Sequence, residues 1–83
     1  MKEIILNARY GYKHALEYIA DNLWQLKLDP KALQTWRVIG NYPNDIKAID
    51  PDGGPFLSVG SKINEYTIKS IMPQGVLELI KEN

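Results

Sequence analysis

Residues 12–28 read YKHALEYIADNLWQLKL, and the period of their apolar positions decides the expected fold. Tyr12, Leu16, Ile19, Leu23 and Leu26 recur at spacings of 4, 3, 4 and 3, which is one face of an amphipathic helix. The spacing predicts a helix over about Tyr10 to Leu28. Asp29-Pro30 follows directly. A carboxylate that can cap a helix, then a proline whose fixed φ suits a first turn, predicts a short second helix over roughly Pro30 to Thr35.

Outward from this segment the signals change to strand and turn. On the N-terminal side, Ile4, Ile5 and Leu6 form a compact apolar run, read as a first strand over Lys2 to Leu6, with a break at Asn7 to Gly11. On the C-terminal side, Trp36 to Ile39, Asp45 to Ile49, Phe56 to Val59, Tyr66 to Ile71 and Val76 to Ile80 read as strands. They are separated by Gly40-Asn41-Tyr42-Pro43-Asn44, by the prolines and glycines of residues 50–55, by Gly60-Ser61-Lys62 and by Pro73-Gln74-Gly75. Such short connections require antiparallel neighbours, because parallel crossovers need a dozen residues or more. The expected fold is therefore a single α+β domain over residues 1–83. In it a strand, a long amphipathic helix and a short helix pack on a curved antiparallel β-meander or partial barrel.

Composition narrows the function classes. The 83 residues are 45% hydrophobic and 24% charged, an ordinary globular balance far from the signature of disorder. Ten basic residues match ten acidic ones, so no net field draws the protein to a polyanion. The absence of cysteine removes disulfides, thiolate metal sites and thiol nucleophiles. The N-terminal segment MKEIILNARYGYKHA is too short in apolar run for a signal peptide or a membrane span. A cytoplasmic location, a reducing compartment and a complete chain starting at Met1 are the corresponding expectations.

Catalytic chemistry lacks its parts. His14 is the one histidine, and on the expected helix it falls about 160° from the centre of the apolar stripe, on the solvent side. A small hydrolase combining His14 with Asp50 or Asp52 is conceivable, but acids in a Pro/Gly-rich turn more often serve the turn itself. The Asp50-Pro51-Asp52-Gly53 pattern resembles a calcium loop only at its start. It has neither the next alternate oxygen ligand nor the distal glutamate. No cofactor or metal is expected, and the reading is that of a non-enzymatic protein.

The informative residues are aromatic. On the expected helix, Tyr18 and Trp24 lie about 120° to either side of the apolar stripe, flanking a polar strip that includes His14 and Asp21. Aromatics so placed are common interface anchors. Alternatively, the second helix, with Ala32 and Leu33 and together with Trp36 just beyond it, folds back over Trp24. Tyr42 and Phe56, with Pro43 and Pro55, form a second candidate rim that would either bind a partner or plug one end of the sheet. The sequence thus predicts a protein-interaction or assembly module. It would bind a protein partner or a second copy through Tyr18, Trp24, His14, Asp21, Tyr42 and Phe56. Single-stranded nucleic-acid binding is the alternative, disfavoured because only Lys47, Lys62, Lys69 and Lys81 are basic in the strand-rich half, too few to neutralise a phosphate backbone.

Overall fold

The computed structural model describes residues 2–7, 13–32, 35–41, 43–49 and 56–81. Nine strands and no helix are found among them: β1 (Glu3–Asn7), β2 (His14–Ala20), β3 (Leu23–Lys27), β4 (Arg37–Asn41), β5 (Asp45–Ile49), β6 (Leu57–Ser58), β7 (Lys62–Ile63), β8 (Tyr66–Ile71) and β9 (Val76–Lys81). Each consecutive triplet is an antiparallel meander. Pairing of β3 with β9 joins the first and third triplets into one curled, six-stranded half-barrel of order β1-β2-β3-β9-β8-β7. The second triplet stands apart as a three-stranded sheet.

The α+β expectation is overturned at its central element. Residues 14–27 are a β-hairpin, and the 4-3-4-3 stripe divides between its two faces. Leu16 is buried and Leu26 partly buried against the core, whereas Ile19 is exposed. The hairpin instead follows a period of two, with Leu16 opposite Leu26 and Tyr18 opposite Trp24. Its reversal comes from Asp21-Asn22. Asn22 has a φ of 62°, and the register slips between Tyr18 and Ala20. A left-handed residue beside a bulge is a recurrent hairpin ending, and Asn tolerates that conformation better than other non-glycine residues. Ala15, Leu16, Glu17 and Lys27 are good helix formers, but intrinsic propensity yields to tertiary pairing.

The second expected helix is also absent. Pro30 and Lys31 form a turn, Ala32 and Thr35 are irregular, and residues 33 and 34 lie outside the described residues. The Asp29 carboxylate does accept an N–H two residues on, from Lys31 at 2.8 Å, and Ala32 N–H donates to Asp29 O at 3.0 Å. The same side-chain bond opens an isolated turn as readily as a helix. The remaining strands occur near their expected places, with β5 and β8 at the expected bounds.

The two sheets share one core. Ile4, Leu16, Trp24, Ile68, Leu77 and Leu79 of the half-barrel cluster with Ile46 of the small sheet. Alternation along β5 buries Ile46 and Ala48 and leaves Asp45 and Lys47 exposed. Val38 and Leu57 lie opposite Ala48 on the same face. The opposite face of the small sheet carries Arg37, Ile39 and Lys47, all exposed to solvent.

Candidate functional site

The structure redistributes the residues expected to bind a partner. Tyr18 and Trp24 do not flank a helix; they are direct cross-strand neighbours, with ring centroids 5.4 Å apart at 77°. Trp24 also meets Tyr66 edge-on at 5.6 Å and is 3% exposed. Trp24 is therefore covered, by rings of the half-barrel itself and not by a second helix. Such edge-to-face pairs add about 0.5–1.5 kcal/mol each beyond the area they bury. Lys2 Nζ lies 5.1 Å from the Tyr18 ring, and Tyr18 OH reaches Asp21 Oδ1 at 3.5 Å, at the hairpin tip.

His14, expected on a solvent-facing helix strip, is fully buried at the start of β2. Its Nδ1 accepts the Asp29 N–H at 3.3 Å, and its ring meets Trp36 edge-on at 5.9 Å. Asp29 in turn accepts N–H bonds from Lys31 at Oδ1 and from Lys13 at Oδ2, both 2.8 Å. These two donors, Lys31 first and then Lys13, hold the Asp29 carboxyl below its ordinary value. The cluster ties the entry of β2 to the exit of β3. Asp50 and Asp52, the acids considered alongside His14, lie outside the described residues. Among the described residues no three His, Cys, Asp or Glu side chains gather as a metal set.

Tyr42 and Pro55 of the second rim also lie outside the described residues. Phe56 is 53% exposed, with Lys47 Nζ 5.0 Å from its ring centroid. Lys47 faces Ile39 across the β4–β5 pair, and Ile39 is itself 46% exposed. The outer face of the small sheet therefore presents Ile39 and Phe56 beside the cations Arg37 and Lys47. Among the described residues neither cation has a carboxylate within ion-pair distance.

A cleft of about 280 Å³ runs between Trp36 and Val38 on one bank and Gln25, Leu26 and the β8–β9 turn on the other. None of its lining residues comes from β5 or β6, so it lies on the side of β4 that faces away from the small sheet. The Gln25 amide braces the far bank, donating to the carbonyls of Gln74 at 3.4 Å and Gly75 at 3.3 Å. On the near bank β4 is an edge strand. Among the described residues, its backbone makes no hydrogen bond beyond the ladder to β5. The Trp36 indole N–H is buried here with no acceptor among the described residues, a defect that costs on the order of 1–3 kcal/mol. The sequence predicts a strand over Trp36 to Ile39 and a turn from Gly40, whereas β4 runs from Arg37 through Gly40 and Asn41. Its position at an edge is not legible in the sequence, because that depends on which strands fail to reach it. In comparisons with known proteins, no family model, curated protein or solved structure matches this chain.

Proposed function

We propose that the chain is a non-enzymatic protein-interaction module that captures an extended segment of another protein by strand addition along β4. The observation that carries this reading is an edge strand with an open backbone beside a cleft. An added strand satisfies free main-chain groups, which supplies affinity, and its alternate side chains meet the cleft and the outer face in turn, which supplies specificity. Most edges of this protein are poor templates. β6 and β7 are two residues long, and the β1 ladder is broken by a register shift after Ile5, all features that blunt strand pairing. The β4 ladder runs without a shift through five pairs, from Arg37–Ile49 to Asn41–Asp45. Nucleic-acid stacking is less well served. The Tyr18, Trp24 and Tyr66 rings pack on one another and leave little open π-face for a base.

Peptides selected from a random display library against the whole chain test this reading. Their binding is expected to slow amide hydrogen exchange in residues 36–41. Ile39→Lys, which sets a charge on an exposed edge position, is expected to weaken them on the order of ten-fold. Peptides whose binding protects another strand and ignores Ile39→Lys would remove the proposal.

A further inference from the structure

We infer that the cleft beside β4 is a pocket for one side-chain carboxamide, so that the extended segment captured there carries a glutamine or asparagine opposite Val38. This rests on the strand-addition reading and names the residue by which the segment is chosen. In an added strand, the side chain opposite Val38 points to the same face as Val38, and its two neighbours point to the other face. Trp36 and Val38, two residues apart on β4 and its entry, both line the cleft, so that shared face is the one the cleft occupies.

Two observations select an uncharged, polar guest. The cleft lining contains no ionisable side chain, so a carboxylate or an ammonium would lose its water and gain no counter-ion. The exposed part of that lining is mainly polar, with Gln25, Thr35 and Gln74 among its residues. An apolar guest would strip water from these groups and leave them unpaired. The size agrees with a single side chain, since about 280 Å³ falls just under the roughly 300 Å³ at which pockets for whole small molecules begin.

Hydrogen-bonding capacity then selects the carboxamide. The Gln25 Nε2 group is directed at the carbonyls of Leu26, Gln74 and Gly75, which leaves Gln25 Oε1 as an acceptor without a donor among the described residues. Among the same residues, the Thr35 hydroxyl and the Gln74 side-chain amide also have no partner. The guest must therefore donate to Gln25 on the far bank and also serve Thr35, beside Trp36 on the near one. A primary carboxamide donates through its NH2 and accepts through its C=O, without charge. A hydroxyl combines both functions in one atom, whereas the carboxamide spreads them over two and so matches partners on two banks.

Four acetylated, amidated seven-residue peptides decide the matter. Each carries a central Gln, Glu, Lys or Met, with alanine at the two positions that share its face and threonine elsewhere, and is titrated to millimolar concentration into the full chain. Backbone amide shifts and the side-chain amide signals of Gln25 and Gln74 are the readouts. The Gln peptide is expected to bind at least about ten-fold more tightly than the other three, with shifts in residues 35–41 and in both side-chain amides. Thr35→Val combined with Gln74→Leu, both at exposed positions, is expected to bring the Gln and Met peptides to equal affinity while the fold survives. A Gln preference unchanged in that double variant overturns the pocket as its origin. Preference for Met, Glu or Lys, or equal affinity for all four, with β4 shifts still present, overturns the carboxamide pocket and leaves strand addition standing. No binding and no β4 shifts with any peptide overturns both. A dimer whose β4 amides are already protected identifies a second copy as the occupant and overturns the carboxamide-bearing segment.

Discussion

At the scale of single residues, the chain places its polar groups where they fasten connections. Asp29 is the clearest case, with both carboxylate oxygens accepting backbone N–H bonds and its own N–H donating to His14. Its folded-state pKa lies below the ordinary value near 3.8. The stabilisation linked to that shift is therefore complete above the unfolded-state value and is lost as pH falls through the folded-state one. Asp29→Asn is expected to be less stable than the parent at neutral pH. In urea melts the gap should hold from neutral pH down to about 4 and close only as the pH is lowered further, through the folded-state value. A stability gap that stays constant below about pH 4 would contradict the assignment. The sequence marked Asp29 as a capping residue but not what it caps, since an Asx bond looks the same before a turn and before a helix. The burial of His14 follows from the strand it occupies, where the apolar spacing predicts a helix with His14 on its solvent side.

At the scale of elements, the hairpin of β2 and β3 is decided at Asp21-Asn22. Asn22→Val is expected to destabilise the protein by about 1–2 kcal/mol, because a β-branched residue resists the left-handed conformation. Asn22→Gly should stay within about 0.5 kcal/mol of the parent. Chemical denaturation of the two variants checks this, and equal tolerance of Val and Gly would argue against the turn. Elements with an unambiguous period or a strong break were legible. β5 alternates between charged and apolar residues from Asp45 to Ala48, and β8 and β9 are separated by Pro73-Gln74-Gly75. The segment 12–28 carries apolar residues on both faces, so that spacings of 2 and of 3–4 fit it equally well. Locally it is ambiguous. The short β7 went unread because two residues make no period, and its reversal depends on Asn64, at a φ of 54°.

At the scale of the whole molecule, stability rests on a core shared by both sheets. Leu77 lies at its centre, fully buried and paired with Trp24 on one side and Ile71 on the other. Leu77→Ala is expected to cost about 2–5 kcal/mol, a large share of the roughly 4–12 kcal/mol that a domain of this length commands. The urea midpoint should fall steeply, and a small change would mean that the β3–β9 seam is not the centre of the core. By itself the sequence determined the antiparallel character of the C-terminal half, the positions of most strands, and the lack of thiol chemistry. These follow from neighbouring residues, through alternation, turn residues and composition. Only the tertiary structure decided that residues 14–27 are strands, because β1 and β9, the latter about fifty residues away, supply the backbone partners that a helix would have found within itself. It alone also decided that Trp24 belongs to the core and that β4 is left at an edge beside a cleft. Which strand goes unpaired is settled by where all the others find their partners, a non-local outcome that no window of sequence contains.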